Sequence, residues 1–555
     1  MLRARPILSS PSSPHRDQQQ LLLPPPGNNP GEVLLWRRSR ILSLIALSLL
    51  IAACTEPQEP TRLSGGHAPL LVGAPAVAHP LVANPIPQHP ALAANGNSYM
   101  HGDGYSSDTH PGPGPLGHDL QMNSRSGSRM PGGACPIVTV DKKGHMIVLC
   151  ADLFRFSLQL LEPRSLKLLA RYPLPSRPSS FHALVTLDPD KIMSDSSGAY
   201  FYLDEQDRIV YADAEQNIQR IGYREVAPGQ WEFQSLDKWS LEEVAPHDCF
   251  GPTNWFPKGE CDPITGVMPD YEGRIWWITR RGRLGTLNTG NGAIKAMHLK
   301  GEEIQNGFSV ARDGIYIVSD FAMYRFYPDT DGTPEVGWRE LYDRGSGRKV
   351  GSINQGSGTT PTLLGDRYVT ITDNADERIN LLVYRREQDY AGKRLVCSVP
   401  LFERNGSATD NSSIAWGRSI ITENNAGYRN ALTQKEWDAP VGGITRVDVR
   451  EDESGCDVVW HSRERSPSVV PKLSLGNGLA YFYTFERQAE DKITWHLTAL
   501  DFATGKTAFK ILVGTGKSFD NNWSPITLAP DGTAYIGTFK GIVAVWDGKA
   551  GAGGR

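Results

Sequence analysis

The sequence predicts an all-β protein, a β-propeller built from four-stranded blades. One pattern repeats from about residue 134 to residue 548: a short apolar strand, a polar turn with glycine, and a strand rich in β-branched or aromatic residues. No long amphipathic helical pattern interrupts these repeats. Because one small twisted sheet cannot bury both of its faces, a ring of such sheets is the arrangement that covers each face with a neighbour.

Eight copies of the pattern can be aligned on the glycine that precedes the second strand of each unit. Their spacings run from 41 to 75 residues, close to the roughly 40–50 residues of a propeller blade once insertions are allowed. Eight blades is the direct prediction, and seven is the alternative if one thin repeat is an insertion. The eight glycines are Gly144, Gly198, Gly273, Gly314, Gly365, Gly417, Gly478 and Gly532.

The N-terminal region resembles a bacterial lipoprotein signal. Three arginines between residues 37 and 40 precede the apolar run 41–53, which ends in small residues before Cys54. The run is short for a membrane span, and its end resembles the site that is cleaved before a lipidated cysteine. We therefore predict that residues 1–53 are a signal region with an atypically long N-terminal extension. The resemblance implies attachment by lipid at Cys54 on the extracytoplasmic side of the cell envelope, at the outer membrane if the host has one.

Between the signal and the repeats, residues 54–133 are rich in proline, glycine, alanine and polar residues. Such a composition predicts a tether, and a flexible tail is predicted for residues 549–555. Six of the thirteen histidines lie in the tether, at irregular spacing that favours solvated side chains over a metal site. The alternative for the later part, which contains Tyr99, Met100, Tyr105 and Leu116, is an ordered path across the following domain.

Cysteine usage supports export. Of seven cysteines, six remain after Cys54, which is compatible with three disulfides in an oxidising compartment. Six cysteines allow fifteen connectivities. Sequence proximity favours the pairs Cys135–Cys150, Cys249–Cys261 and Cys397–Cys456.

The charge balance argues against a nucleic-acid partner. Removal of residues 1–53 leaves 51 basic and 59 acidic side chains, a formal net charge of −8. Binding to phosphate backbones depends on clustered positive charge. We therefore expect as partners the membrane, through the lipid, and an envelope protein or a small molecule.

Two segments resemble known propeller families. Residues 306–320, with Asn306, an Asp-Gly turn, an apolar strand and Asp320, resemble a blade motif of the gluconolactonase, strictosidine-synthase and paraoxonase-like propellers. Residues 500–506 and 534–547 are similar to the repeats of PQQ-type quinoprotein propellers. Each resemblance covers one or two blades and implies the fold rather than a reaction.

Acids and amides recur in the loops that enter the innermost strands and in those that join second to third strands. These loops open at the same end of a propeller channel, and carboxylate and amide oxygens are the ligands that calcium prefers. In the lactonase-like families such a metal polarises an ester. Asn and Asp are also favoured in turns, which explains the same pattern without a ligand. The predicted metal ligands are Asn306, Asp320, Asp373, Asn374, Asn411, Glu423 and Asn424.

Three functions follow as hypotheses, and the sequence identifies no catalytic residue. A lipid-anchored binding or scaffold propeller needs only the signal and the ring, and is favoured. A calcium-type hydrolase of lactones or aryl esters would use the predicted ligands. A quinoprotein-like oxidoreductase is the least favoured, because the adjacent cysteine pair of the quinoprotein enzymes is missing.

Overall fold

A computed structural model describes residues 62–81, 86–94, 96–126, 134–152, 155–187, 199–488 and 492–548. The predicted signal region, Cys54 and the predicted tail lie outside the described residues. No helix in the described ranges is long and apolar enough to cross a membrane. The one α-helix described, α1, covers Pro178–Thr186, and a 3-10 helix covers Lys517–Phe519.

Four strands precede the first blade: β1 (Arg62–His67), β2 (Leu70–Gly73), β3 (Thr109–His110) and β4 (Gln121–Ser126). Blade 1 contains β5 (Ala134–Val140), β6 (Met146–Asp152), β7 (Arg155–Leu161) and β8 (Leu168–Leu174). Blade 2 contains β9 (Tyr202–Leu203), β10 (Ile209–Ala212), β11 (Asn217–Ala227) and β12 (Gln230–Ser240). Blade 3 contains β13 (Ile264–Pro269), β14 (Ile275–Thr279), β15 (Arg283–Leu287) and β16 (Ile294–His298).

The remaining blades follow in chain order. Blade 4 contains β17 (Ser309–Ala311), β18 (Gly314–Val318), β19 (Ala322–Pro328) and β20 (Pro334–Leu341). Blade 5 contains β21 (Thr362–Leu364), β22 (Tyr368–Thr372), β23 (Asn380–Arg385) and β24 (Leu395–Pro400). Blade 6 contains β25 (Ile414–Trp416), β26 (Ser419–Glu423), β27 (Ile444–Val449) and β28 (Cys456–Ser462). Blade 7 contains β29 (Lys472–Ser474), β30 (Leu479–Arg487), β31 (Ile493–Asp501) and β32 (Thr507–Thr515). Blade 8 contains β33 (Ile526–Leu528), β34 (Ala534–Thr538) and β35 (Gly541–Trp546), completed by β4.

The predicted propeller of eight four-stranded blades is confirmed. Within each blade the strands are antiparallel, and the first strand of blades 1–7 lies innermost. Buried aspartates fix several turns between first and second strands. For example, the Oδ1 atom of Asp141 accepts the backbone N–H groups of Lys143 and His145, at 2.8 Å each. Such side-chain clips are the reason why Asp is favoured in these turns.

Seven of the eight aligned glycines lead into the second strand of their blade, as predicted. The exception is the unit at Gly198, a residue outside the described ranges. The aromatic stretch that follows it forms β9, the innermost strand of blade 2, and the second strand is β10. An apolar stretch can form either the first or the second strand of a blade, because both strands are buried. In the first strand of blade 2, Tyr202 and Leu203 are fully covered.

Blade 8 closes the ring with strands from both ends of the described chain. Its fourth strand is β4, which pairs along its whole length with β35, from Gln121 opposite Trp546 to Ser126 opposite Gly541. Strand β1 adds a fifth strand outside β4. The propeller therefore begins before residue 134, inside the region whose composition predicts a tether.

Residues 86–94 and 96–110, which we call the channel segment, lie against the innermost strands. Strand β3, at the end of this segment, runs parallel to β29 of blade 7. Backbone N–H groups of blades 2, 4, 5, 6 and 7 donate to carbonyl oxygens of the channel segment: Leu203 to Ser98 (2.7 Å), Val310 to Gly104 (2.6 Å), Leu363 to Tyr105 (3.0 Å), Ala415 to Ser107 (2.9 Å) and Leu473 to Asp108 (2.9 Å).

The channel segment corrects the prediction of solvated histidines for three of the six, whereas His67, His79 and His118 are exposed as predicted. His89, His101 and His110 are at most 3% exposed, and burial lowers the pKa of both His89 and His110 to about 4. The ordered alternative for the later part is the observed one, since Tyr99, Met100 and Tyr105 are buried in the channel. The backbone of this segment fits the narrow channel because its carbonyl oxygens accept hydrogen bonds from the blades.

The three predicted disulfides are confirmed: Cys135–Cys150, Cys249–Cys261 and Cys397–Cys456. The first joins the two inner strands of blade 1. The third joins the outermost strands of blades 5 and 6, β24 and β28, and closes a loop with a sequence separation of 59 residues.

We predict that replacing both Cys397 and Cys456 with serine lowers the free energy of unfolding by about 4 kcal/mol, the chain-entropy value for a loop of this length. Replacing Cys249 and Cys261, whose separation is 12 residues, should cost about 3 kcal/mol. Denaturant unfolding of protein produced in an oxidising compartment measures both. Equal stability of the wild type and the first double variant would contradict the role of this disulfide in joining two blades.

Candidate functional site

A cavity of about 250 Å³ occupies the channel at the end where the innermost strands begin, which we call the mouth end. Its walls come from the loops that enter the innermost strands and from those that join second to third strands. Met100 and His101 of the channel segment also line it. The channel segment fills the channel beyond the cavity, where it is hydrogen-bonded to five blades. The cavity is therefore a cup that opens at the mouth end rather than an open pore.

Most of the cavity wall is apolar, with aromatic side chains from several blades. A concave apolar site with a few polar groups is the usual form of a small-molecule site. The apolar and aromatic lining residues include Ile137, Phe156, Tyr200, Ile353, Leu432, Val470, Trp523 and Phe539.

At the base of the cavity, Asp108 is the centre of a buried polar cluster. Its carboxylate accepts hydrogen bonds from Lys472 Nζ at 2.8 Å, from His101 Nδ1 at 3.1 Å and from the Ser412 hydroxyl. Burial acts to raise the pKa of Asp108, but the charge of Lys472 and the hydrogen bonds outweigh it and hold the pKa below its ordinary value. Asp108 is therefore ionised and paired with Lys472.

This cluster fixes the tautomer of His101. An ionised Asp108 requires the proton of a neutral imidazole to be on Nδ1, so that Nε2 presents a lone pair. Nε2 is buried and has no hydrogen-bond partner in the described structure. His101 lines the cavity, and its Nε2 is a hydrogen-bond acceptor available to a ligand.

Ser412, His101 and Asp108 differ from a serine-hydrolase triad. Ser412 Oγ lies 2.9 Å from His101 Nδ1, the nitrogen that is also bound to Asp108. In the triad the serine and the carboxylate contact opposite ring nitrogens, so that Nε2 can accept the serine proton. Ser412 instead donates to Asp108, and its hydroxyl ties the channel segment to blade 6.

Asp410, two residues earlier in the same loop, lines the cavity. Its Oδ1 accepts the backbone N–H of Ile353 at 3.2 Å, whereas its Oδ2 is buried without a hydrogen-bond partner. Burial raises the pKa of Asp410 to about 7, although Arg348 and Arg280 act in the opposite direction. A carboxyl group that is half protonated near neutral pH is thus present in the wall.

Glu423 is buried behind the cavity wall, and all of its acceptor atoms are used. Oε1 accepts from Asn411 Nδ2 at 2.5 Å and Asn425 Nδ2 at 3.2 Å, and Oε2 accepts from Ser466 Oγ at 2.5 Å. Burial raises the pKa of Glu423 to about 8. Glu423 is therefore mostly protonated at pH 7, with the proton in the hydrogen bond between Oε2 and Ser466 Oγ.

Three of the predicted metal ligands, Asn306, Asn411 and Glu423, lie in or behind the cavity wall. Only Asn411 and Glu423 of the set are hydrogen-bonded to each other, and Asn306 lines the cavity with its Nδ2 donating to the carbonyl oxygens of Gly358 and Asp410. In the described residues no group of three or more His, Cys, Asp or Glu is placed to hold a metal ion.

The other four predicted ligands are used in hydrogen bonds that hold loops in place. Asp320 accepts from the backbone of Glu303 at 2.6 Å and from Arg344 at 2.5 Å. Asp373 accepts from the backbone and side chain of Asn380, at 2.6 and 2.7 Å. Asn374 donates to the carbonyl oxygens of Arg344 and Gly347, and Asn424 to those of Gly406 and Gly442. These contacts are the turn chemistry that Asn and Asp provide without any metal.

The loop that enters blade 8 supplies a further part of the wall. Asn521, Asn522 and Trp523 line the cavity, and Asn522 and Trp523 are consecutive residues with φ of 50° and 59°. Two adjacent non-glycine residues in the left-handed region are strained, and such strain is concentrated at functional sites. The side-chain oxygens of both asparagines and the indole N–H of Trp523 are buried without partners in the described structure.

Sequence reasoning missed His101, Asp108, Ser412 and Lys472. His101 and Asp108 lie in the segment whose composition predicts a tether, and the hydrogen bond between Asp108 and Lys472 spans 364 residues. No local pattern connects such positions. In contrast, Asn521 and Asn522 are amides in a loop that enters an innermost strand, which is the recurring pattern of the sequence, and both line the cavity.

We predict that Glu423→Gln removes part of the pH dependence of stability. Because the folded pKa of about 8 exceeds the ordinary value of 4.5, the folded wild type holds a proton that the unfolded chain releases. Its free energy of unfolding therefore falls as the pH rises from about 4.5 to 8. Relative to the wild type, the variant should gain up to about 1.4 kcal/mol for each pH unit in this window.

Denaturant unfolding from pH 5 to pH 9 checks this prediction, with Glu403→Gln, at an exposed glutamate, as the control. Differencing against the wild type cancels the contributions of Asp410 and Asp520, whose pKa values burial also raises to about 7. A constant difference between Glu423→Gln and the wild type across the range would show that Glu423 does not titrate in this window.

No family model matches the chain, and no curated protein matches it. Among solved structures, the chain is similar to a quinohemoprotein alcohol dehydrogenase from Comamonas testosteroni, with 9% identity, a TM-score of 0.46, and 84% of this chain and 82% of that chain covered. It is also similar to U3-55K, with 10% identity, a TM-score of 0.36, and 69% and 96% covered. A third similar structure is the WD40 propeller domain of Doa1, with 8% identity, a TM-score of 0.31, and 62% and 89% covered.

Proposed function

We propose that the protein is an extracytoplasmic binding propeller that holds a small organic molecule in the channel cavity. The observation that supports this proposal best is the set of buried polar atoms without partners in the described structure that surround one largely apolar cavity: His101 Nε2, Asp410 Oδ2, Asn521 Oδ1, Asn522 Oδ1 and Trp523 Nε1. An unsatisfied buried polar group costs about 1–3 kcal/mol. A ligand that supplies the missing hydrogen bonds recovers this free energy.

The residues of the cavity fit a binding function better than they fit either of the two catalytic hypotheses. A calcium-type hydrolase needs several ionised oxygen ligands around one ion, whereas Asp320, Asp373, Asn374 and Asn424 are used as loop clips and Glu423 has its acceptors filled. A quinoprotein-type disulfide between adjacent cysteines is excluded for the six cysteines of the described chain, because all six are paired with distant partners.

Filling of the cavity tests the proposal. The neutral fluorophore N-phenyl-1-naphthylamine gains fluorescence in an apolar site, and we expect saturable binding to the wild type. Ala199→Trp places an indole at the cavity wall and should weaken binding at least tenfold. Lys300→Trp, at an exposed position far from the cavity lining, is the matched control. No saturable binding, or equal binding to both variants, would overturn the proposal.

For the location we propose a lipid anchor at Cys54. The order of arginines, apolar run, small residues and cysteine supports it, as do the three disulfides, which are typical of oxidising compartments. We predict that the mature protein starts at an acylated Cys54 and that Cys54→Ser leaves an unprocessed precursor. Mass spectrometry of the membrane fraction measures both, and a mature N-terminus elsewhere without acyl mass would contradict the anchor.

A further inference from the structure

We propose that the ligand of the channel cavity is an organic ammonium compound, with its charged group next to Asp410 and its apolar part against the aromatic wall. This inference rests on the proposed function and names the chemical class of the ligand. It follows from the kind of polar atoms that lack partners, from the position of Asp410 and from the composition of the wall.

The unpartnered polar atoms of the cavity are mostly acceptors. His101 Nε2 is an acceptor because Asp108 holds the ring proton on Nδ1. Asn521 Nδ2 donates to the carbonyl oxygen of Gly537 at 3.0 Å, which leaves its Oδ1 as the free atom. Asp410 adds Oδ2. A hydroxylated ligand such as a sugar brings as many acceptors as donors, whereas an ammonium group brings donors only.

Asp410 provides the site for the charge. The residue is 5% exposed. Of its two carboxylate oxygens, Oδ1 accepts a backbone N–H and Oδ2 has no partner in the described structure. Buried carboxylates in proteins are paired or neutral. In the cavity without a ligand, burial keeps the Asp410 pKa near 7, so that a ligand cation is the partner that would ionise it.

The wall suits the remainder of such a molecule. Tyr200 and Trp523 line the cavity, and aromatic side chains can bind both cations and apolar groups. Phe156, also in the wall, already carries a cation on its ring, since the Arg177 guanidinium lies 4.5 Å from its centroid. The strained backbone at Asn522 and Trp523 holds this part of the wall in place.

Charge pairing with Asp410 makes binding dependent on pH. Below pH 7 the ligand must displace the proton of Asp410, so the affinity should rise with pH by up to tenfold for each unit below the pKa and level off above it. The other charged or titratable groups near Asp410 are Arg280 and Arg348, Tyr200, and, through Ser412, the cluster of His101, Asp108 and Lys472. Arg177 also lines the cavity, with its guanidinium over the ring of Phe156. Of these, Tyr200 has a pKa raised by burial to about 12, and the Asp108 carboxylate is already paired.

A matched pair of probes tests the inference: tryptamine, which is protonated at neutral pH, and tryptophol, its neutral alcohol counterpart. We expect calorimetric titration of the full chain to give at least tenfold tighter binding of tryptamine. Titrations in buffers of different ionisation enthalpy at pH 6 should show release of up to one proton per tryptamine bound. Phenethylamine and 2-phenylethanol form a second, smaller pair.

Asp410→Asn keeps the acceptor for Ile353 but removes the charge. It should abolish the preference for the amine and the proton release, while it still binds N-phenyl-1-naphthylamine, which shows that the cavity is intact. Glu423→Gln, at a buried acid that is tied to Asn411 and Ser466, is the control and should bind tryptamine as the wild type does.

The outcomes distinguish this inference from the proposed function. Three results would overturn the ammonium inference and leave the binding cavity. They are equal binding of amine and alcohol, binding of the fluorophore but of neither the amine nor the alcohol, and an unchanged preference for the amine in Asp410→Asn. Failure of the fluorophore and of all four probes to bind would overturn both.

Discussion

Lys472→Met is expected to lower the free energy of unfolding by about 3–5 kcal/mol, the cost of leaving one partner of a buried ion pair without the other. Lys472 Nζ lies 2.8 Å from Asp108 Oδ1, and the two side chains are 1% and 0% exposed. Methionine matches the length of the lysine stem. The loss therefore reports the uncompensated Asp108 carboxylate rather than a cavity.

Denaturant unfolding at pH 7 measures the effect, and the double variant Lys472→Met with Asp108→Asn is the control. Since it removes both charges, it should recover at least half of the stability that the single variant loses. Lys295→Met breaks a surface pair with Asp331 and should change the free energy of unfolding far less than Lys472→Met does, because solvent screens exposed ion pairs. A loss of less than 1 kcal/mol in Lys472→Met would show that Asp108 is not held as a carboxylate by this lysine.

The blades could be predicted because their determinants are local. Turn glycines, aspartates that accept backbone N–H groups, and strands rich in β-branched or aromatic residues recur along the repeats, and each acts within about ten residues of its own position. Gly273, for example, has φ of 84° in the turn before β14, a conformation that favours glycine. Even the disulfides follow sequence proximity, since each pair lies within one blade, within the loop between β12 and β13, or on the outermost strands of neighbouring blades.

The channel segment could not be predicted for the opposite reason. Its contacts are made across hundreds of residues: Ser412 reaches Asp108 over 304 positions, and Asn97 donates to Leu528 over 431. Glycine, histidine and proline in a polar stretch are typical of tethers, and the same residues fit a narrow channel in which backbone groups meet backbone groups. Composition alone therefore does not tell whether such a segment is surrounded by solvent or by the interior of a propeller.

The site residues show a similar limit. Asp373 and Asp410 both lie in mouth-end loops, and the sequence pattern treats them alike. In the structure, Asp373 accepts three hydrogen bonds from its own blade, from Ala375 and Asn380, whereas Asp410 keeps Oδ2 without a partner. A loop clip and a ligand group need the same residue types at the same strand ends, so only the partners decide between them.

Shortening the chain to begin at residue 134, the boundary that composition suggests, is expected to prevent folding. It removes β4, the fourth strand of blade 8, and so exposes the edge of β35 from Gly541 to Trp546. Unpaired edges promote pairing with other chains and aggregation. It also removes the channel segment, which leaves the N–H groups of Val310, Leu363 and three other innermost-strand residues without their acceptors.

Two longer chains separate these effects. A chain that begins at residue 62 retains every described element and should unfold cooperatively, with the near-ultraviolet circular dichroism of packed aromatic residues. One that begins at residue 111 keeps β4 but lacks the channel segment. It should therefore close the ring, melt at a lower temperature and lose saturable binding of the fluorophore, because His101 and Met100 no longer form the base of the cavity. If the chain from residue 134 gave a soluble monomer that melts within a few degrees of the chain from residue 62, neither β4 nor the channel segment would be needed to close this propeller.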